Sequence, residues 1–194
     1  MPLILILIVA AVLVGYVVSI YNFFVSSKAR IKASIQEIGN QLKRQFDLIP
    51  NLEETAKGYL KHEKGIFEKL ADARKSVASA LKSGDLNQMA EASEKIGSLL
   101  PSIKVAVESN PDIKGAEVMV SLMYELRDTS DKVMYARRTL IDLTADFNVK
   151  RASFPSNIIA TMFGFEEQKG LVTPTEGEHL ELGSEETKSH KVKF

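Results

Sequence analysis

The sequence predicts an all-α protein, in which an N-terminal transmembrane helix is followed by an antiparallel, four-helix, up-and-down helical bundle. Residues 3–25 are dominated by Leu, Ile, Val, Ala and Phe. From residue 31 onward, apolar side chains recur at spacings of three and four residues. This spacing places apolar side chains on one face of a helix, and four successive stripes predict four helices that bury those faces together.

The apolar run is long enough to cross a membrane. A helix rises about 1.5 Å per residue, so about 20 apolar residues span the hydrocarbon core. Residues 1–27 carry no charged side chain, and four aromatic residues lie in the C-terminal half of the run: Tyr16, Tyr21, Phe23 and Phe24. Aromatic side chains favour the membrane–water boundary. A cleaved signal peptide, the alternative, has basic residues before a shorter apolar core, and residues 1–25 do not fit that pattern.

Basic residues directly after the run predict the orientation. Lys28, Arg30 and Lys32 follow it, and basic residues near a membrane end tend to stay cytoplasmic, where they can hold the anionic leaflet. We therefore expect a single-pass protein of the cell (inner or plasma) membrane, with residues 1–27 as the anchor. Its N-terminus would lie outside and its bundle in the cytoplasm.

The bundle is predicted over residues 28–153, and its four apolar stripes cover residues 31–49, 52–81, 86–107 and 119–147. Asp85 and Gln88 have capping-box spacing at the start of the third helix. Asn110 can cap the fourth, with Pro111 at its first position. Pro101 is expected to kink or interrupt the third helix. The repeats approximate seven residues, which predicts near-parallel packing with a left-handed twist.

Pro50 leaves two alternatives for the first boundary. Asn51 and Glu54 have capping-box spacing, which favours a new helix there. The apolar stripe nevertheless runs through Pro50 almost in phase, as it would in a kinked, continuous helix. We favour a turn at Pro50, because proline disfavours helix in the residue that precedes it.

The end of the chain divides into two segments. Residues 154–157 end the last long helix, and apolar residues follow up to residue 165. Residues 154–165 either form a short helix folded onto the bundle or rest in the membrane interface. Residues 166–194 are polar and interrupted by Gly and Pro, which predicts a flexible tail.

The sequence shows no constellation typical of an enzyme. The 25 basic residues equal the 25 acidic ones and there is no cysteine, so we expect no nucleic-acid partner, no thiolate metal site and no cofactor. His62 beside Glu63 is the alternative catalytic or metal-binding pair, but neighbouring Lys61 and Lys64 indicate a solvated helix face. Helix-stabilising charge pairs are predicted four residues apart at Lys43/Asp47, Lys64/Glu68, Asp128/Lys132 and Arg138/Asp142.

Several segments resemble the LemA family. These are residues 42–52 (LKRQFDLIPNL), 57–59 (KGY), 61–63 (KHE), 135–138 (YARR), 147–148 (FN), 154–157 (FPSN) and 163–165 (FGF). The likeness covers residues 1–165. It implies an α-helical bundle on a membrane anchor in bacteria, without an established catalytic activity. One branch of the family, in magnetosome-forming bacteria, is linked to shaping internal membranes.

These observations predict a non-enzymatic, membrane-anchored scaffold or protein-interaction module. Its partners would be the lipid bilayer and either further copies of itself, in a homo-oligomer, or an unidentified membrane-associated protein. The alternative is a membrane-remodelling protein that acts through oligomerisation and an interfacial segment at 158–165. The resemblance marks candidate interaction residues: Phe46, Asp47, Pro50, Asn51, Tyr59, His62, Arg137, Arg138, Phe154 and Pro155. The candidate membrane-interface residues are Lys28, Arg30, Lys32, Phe163 and Phe165.

Overall fold

The computed structural model describes residues 2–57, 64–108 and 116–171, and the described residues form helices without strands, as predicted. The helices are α1 (Pro2–Lys57), α2 (Lys64–Ser83), α3 (Leu86–Glu108), α4 (Ala116–Ala152) and the short α5 (Ser156–Met162). Four of them pack into a bundle in which α1 contacts α4 and α2, while α3 contacts α2 and α4. The N-terminal part of α1 extends beyond the bundle, where its apolar side chains are exposed.

The preferred turn at Pro50 is wrong. α1 runs without interruption through Pro50 to Lys57, and the backbone carbonyl of Asn51 accepts a hydrogen bond from Thr55 Oγ1 within the helix. Proline inside a helix costs about 3 kcal/mol. Burial of Ile49 and Leu52 offsets that cost, because a fully buried aliphatic side chain contributes about 1.5–3 kcal/mol. The apolar stripe, which continues in phase through Pro50, therefore outweighs the local capping signal of Asn51 and Glu54.

The α2–α3 connection is a tight turn built as the sequence predicts. Gly84 has a φ of 67°, a left-handed conformation that glycine adopts at helix C-termini without steric cost. Asp85 Oδ1 then accepts a hydrogen bond from the backbone N–H of Gln88 at 2.9 Å, which caps α3. Pro101 does not interrupt α3, which continues to Glu108. The predicted cap at Asn110 and Pro111 lies outside the described residues.

Contacts between α1 and α4 show that the two helices are antiparallel. Phe24 packs on Phe147, and Ser34 Oγ donates to the carbonyl of Ala136 at 2.9 Å. Farther along, Arg44 pairs with Glu125 at 3.4 Å. Residue numbers rise on α1 as they fall on α4, so α4 returns towards the exposed N-terminal part of α1, as an up-and-down bundle requires.

A buried polar group lies in the middle of the bundle. Gln45 is fully buried, and its Nε2 donates to Ser130 Oγ at 3.0 Å and to Ser93 Oγ at 3.4 Å. These contacts join α1, α3 and α4. Within the described residues, Gln45 Oε1 has no hydrogen-bond partner. A buried polar contact of this kind favours one alignment of the helices over shifted ones.

Candidate functional site

An aromatic cluster joins α1, α4 and α5, and we call this region the junction. Phe24 and Phe147 are fully buried, with ring centroids 5.1 Å apart. Phe165 stacks on Phe24 at 4.8 Å, while Tyr21 meets the edges of Phe163 and Phe165 at 5.0 and 5.7 Å. Aromatic pairs at these distances add about 0.5–1.5 kcal/mol beyond burial. The cluster fixes residues 163–165 against the C-terminal third of the apolar run.

Residues 165–171 form a strap that runs back along α4. Arg151 Nε donates to the carbonyl of Phe165 at 2.9 Å. Asn148 makes two reciprocal bonds to the backbone of Gln168, one from Nδ2 to the carbonyl and one from the N–H to Oδ1, both at 2.9 Å. At Gly170 an added Cβ would lie 3.0 Å from Thr144 Oγ1, so glycine permits the close approach. Residues 166–171 are thus held on α4, unlike the free tail expected there, and 172–194 lie outside the described residues.

Within residues 154–165, Ser156–Met162 form α5, the short helix expected by one of the two hypotheses. α5 buries Ile159 and Ala160 against the bundle. Its opposite side exposes Ile158 and Met162, next to Phe154, whose exposed fraction is 81%. Within the described residues, α5 therefore presents an apolar surface beside α1 as well as a buried one.

The five residues predicted at the membrane interface differ in how far they are buried. Lys28, Arg30 and Lys32 are exposed on α1, one to two turns beyond the aromatic cluster. Phe163 remains 46% exposed, although its ring contacts Tyr21. Phe165 is only partly exposed, because Phe24 covers one of its ring faces. The structure brings both phenylalanines to the junction, with Phe165 acting mainly in packing.

The first LemA-like segment, residues 42–52, lies far from the junction. Phe46 is half-buried between two cations, with Lys43 Nζ 5.3 Å and Arg74 Cζ 4.8 Å from its ring centroid. Asp47 pairs with Lys43 on the exposed surface. Because α1 is one continuous helix, about 33 Å of helix separates Phe46 from Phe24, and about 40 Å separates Asn51 from Phe24. The predicted interaction residues therefore do not form one site.

The remaining candidates are distributed along the bundle. Arg137 bridges α4 to α3 through Glu94, at 2.6 Å. Arg138 is exposed, and the ion pair expected between it and Asp142 does not occur. Pro155 lies at the N-terminus of α5. Pro50 and Asn51 lie inside α1, while Tyr59 and His62, with Glu63, fall outside the described residues.

A surface that the sequence alone did not predict lies on the exposed side of α4. Its N-terminal half, from Val120 to Asp131, lines a groove together with Leu100, Pro101 and Lys104 of α3. Its side chains are all exposed, and we call the set the outer face: Val120, Tyr124, Arg127, Asp131, Met134, Tyr135, Arg138, Asp142, Ala145 and Val149. They recur at three- and four-residue spacing, as the buried positions of α4 do. The signal available in the sequence was a second set of apolar residues on α4 at the same spacing. The buried stripe is more regular, and it made the second set harder to recognise.

The residues that the structure describes contain no group of three or more His, Asp or Glu side chains placed to hold a metal ion. Their fold defines a class: all-α bundle proteins whose first helix carries a candidate membrane span. A family model described as the LemA family matches residues 34–184. The chain belongs to the LemA family, which confirms the resemblance. No curated protein matches it.

Proposed function

We propose that this protein is a non-enzymatic, single-pass membrane scaffold whose bundle presents an interaction surface to the cytoplasm. The observation that carries the proposal is the exposed N-terminal part of α1. Leu3, Leu7 and Leu13 are each more than half exposed, and an apolar helix surface of this length is costly in water. A lipid bilayer is the environment that removes the cost.

The length of the exposed segment supports the anchoring and a position of the junction at the membrane surface. Along α1, Ile20 is the first buried residue. Residues 2–19 extend for about 27 Å, slightly less than a hydrocarbon core of about 30 Å. A spanning α1 therefore brings the junction, with Tyr21 and Phe163, to the membrane–water boundary. Lys28, Arg30 and Lys32 then lie within reach of anionic headgroups, which favours the cytoplasmic side.

Membrane extraction tests the anchor. Alkaline carbonate washing of membranes should leave the full-length protein in the pellet. The double variant Val9→Arg/Leu13→Arg should move to the soluble fraction or fail to insert, because each arginine at the centre of a span costs about 2.5–3.5 kcal/mol on insertion scales. Val118→Arg, also at an exposed apolar position but on α4, is the matched control and should remain in the pellet.

Protease protection tests the orientation. In spheroplasts with sealed inner membranes, added protease should leave the bundle intact, and detergent should expose it. Cleavage of the bundle before detergent is added would place it outside and overturn the cytoplasmic scaffold.

The outer face of α4 supports an interaction role. Tyr124 and Tyr135 are each 75% exposed and Met134 is 64% exposed. Exposed aromatic and methionine side chains are enriched in protein-binding surfaces. Crosslinking of the full-length protein in its own membrane, followed by sizing and mass spectrometry, should return either higher oligomers or one recurrent partner. Recovery of monomer alone would contradict the scaffold.

Membrane remodelling is a second candidate, favoured by the apolar side of α5. Phe154, Ile158 and Met162 are exposed at the level of the junction, where a spanning α1 would bring them to the interface. Side chains that enter one leaflet expand it and favour curvature. Ile158→Glu/Met162→Glu should then abolish deformation of vesicles by the full-length protein. Ala78→Glu, at an exposed position of α2, should leave deformation unchanged.

A further inference from the structure

A groove between α1 and α4 lies beside the junction, at the end of the bundle next to the exposed N-terminal part of α1. Its volume is about 410 Å³, within the range of about 300–1,000 Å³ that is typical of small-molecule sites. Its lining combines apolar, aromatic and charged side chains: Tyr16 and Phe23 on α1, Asp146, Val149 and Lys150 on α4, and Phe154 after α4. The groove therefore offers an apolar wall together with two opposite charges.

The chemistry of the groove changes in a fixed order along the bundle axis. Tyr16 lies in the exposed part of α1, about 6 Å before Ile20, which is the first buried residue. Phe154, just after the end of α4, is exposed at the same end of the groove. Lys150 follows, and Asp146 lies one helical turn, about 6 Å, farther from the exposed part of α1. The order is thus apolar, then cationic, then anionic.

Both charges of the groove are available to a ligand. Among the described residues, the side chains of Lys150 and Asp146 form no ion pair, either with each other or with a third residue. Lys150 is half-buried, and its Nζ lies 5.8 Å from the centroid of the Phe23 ring. The aromatic ring attracts the ammonium and leaves N–H donors that an anion can accept.

The same order of groups occurs in a phospholipid whose headgroup ends in an ammonium. Its acyl chains are innermost, its phosphate follows, and its ammonium lies farthest from the hydrocarbon core. If α1 spans a bilayer with Ile20 near the boundary, Tyr16 and Phe154 lie beside the acyl chains. We propose that this groove binds one molecule of phosphatidylethanolamine. Its phosphate pairs with Lys150, and its primary ammonium donates to the carboxylate of Asp146.

The two opposite charges distinguish the groove from the basic residues of α1. Lys28, Arg30 and Lys32 are exposed cations, which attract any anionic headgroup. Asp146 instead requires a cationic donor. A primary ammonium has three N–H donors, whereas the quaternary ammonium of phosphatidylcholine has none, so the groove should favour ethanolamine over choline. This inference rests on the proposed anchoring and specifies the lipid that the bundle holds.

Native mass spectrometry of the full-length protein in mild detergent tests the proposal. The protein is equilibrated with equal amounts of dioleoyl phosphatidylethanolamine, phosphatidylcholine and phosphatidylglycerol, and the lipid that stays bound is identified by its mass. One phosphatidylethanolamine should be retained in preference to phosphatidylcholine. Asp146→Asn should lower the ratio of bound phosphatidylethanolamine to phosphatidylglycerol about tenfold, because the two lipids share the phosphate and differ in the ammonium.

Removal of the cation should have a different effect. Lys150→Gln should lower the retention of both phosphatidylethanolamine and phosphatidylglycerol, since both present a phosphate, whereas Lys150→Arg keeps the cation and should keep both lipids bound. Asp142→Asn and Arg138→Gln are the matched controls, because these exposed residues of α4 do not line the groove. Both should leave the amounts and the ratio unchanged.

Three results would overturn the proposal. The first is equal retention of phosphatidylethanolamine and phosphatidylcholine by the native protein. The second is a ratio of phosphatidylethanolamine to phosphatidylglycerol that Asp146→Asn does not change. The third is preferred retention of phosphatidylglycerol that is lost in Lys150→Gln, which would identify a site for anionic lipids in general. Thermal unfolding of Asp146→Asn should match that of the native chain, because the carboxylate is exposed, so a changed ratio reports lipid binding.

Flotation of the full-length protein with vesicles of the same three lipids separates failure of this inference from failure of the proposed function. Protein that floats with the vesicles but shows no preference for phosphatidylethanolamine keeps the anchor and overturns the lipid site. Protein that does not float contradicts the anchoring and the lipid site together.

Discussion

The inward and outward sides of α4 follow the same three- and four-residue spacing but differ in composition. The inward side is apolar over most of its length and fully buried at Met119, Leu126, Leu140 and Phe147. The outer face alternates apolar residues with charges of opposite sign. The inward side favours burial in the bundle, because no charged side chain there loses its hydration when the helices pack. The outer face keeps its apolar side chains soluble, because hydrated charges lie between them.

Removal of a buried ring from the inward side should have the largest effect on folding. Phe147→Ala leaves a cavity beneath Phe24 and should lower the free energy of unfolding by about 3–5 kcal/mol, measured by denaturation of the full-length protein in mild detergent. Met134→Ala on the outer face is the matched control and should change it by less than about 0.5 kcal/mol. Equal losses of unfolding free energy in the two variants would contradict the assignment of the inward side, and not the outer face, to the core.

Release of the strap should have an intermediate effect. Asn148→Ala removes both bonds to the backbone of Gln168 and should cost about 1–3 kcal/mol. Limited trypsin digestion should then cut faster after Lys169, in the strap. Gln168→Ala is the control, because it keeps the backbone groups that Asn148 binds. Unchanged cleavage in the Asn148 variant would show that packing at Phe165 alone holds the strap.

Replacement of the buried amide should stabilise the fold slightly. Gln45→Leu removes an oxygen that has no hydrogen-bond partner in the described part of the chain. Ser130 keeps its bond to the carbonyl of Leu126, and Ser93 loses only the long contact of 3.4 Å with Nε2. We expect a gain of about 1 kcal/mol in the free energy of unfolding. Gln45→Ala should instead be destabilising, since it leaves a cavity. A loss in the leucine variant would show that the amide contacts to α3 and α4 outweigh the unpaired oxygen.

Neutralisation of the outer-face charges should affect folding least. Asp131→Ala and Arg138→Ala should each change the free energy of unfolding by less than about 0.5 kcal/mol, as is usual for exposed side chains without partners. A large effect on unfolding would place these residues in the folding core.

Much of the fold follows from local patterns in the sequence. The apolar run, the apolar stripes and the cap at Asp85 are short-range features, and they predict the helices of the structure except for the boundary between the first two stripes. The turn at Pro50 was wrong because its signal was local, whereas burial of Ile49 and Leu52 against other helices acts at long range. The candidate site was harder to predict, because motifs in a sequence do not give the distances between them in the fold. Only the packing of the helices shows that residues 46–51 and 154–165 lie at different levels of the bundle.

The sequence by itself determined the helical class, the candidate membrane span and the family, because these depend on hydrophobic periodicity, run length and motifs. The tertiary structure decided which of two apolar faces on α4 became core, that residues 165–171 lie along α4, and that Phe165 joins the aromatic cluster of the junction. Those outcomes depend on burial of area and on hydrogen bonds between residues distant in the chain, such as Phe24 with Phe165. Such contacts form only when the helices are assembled.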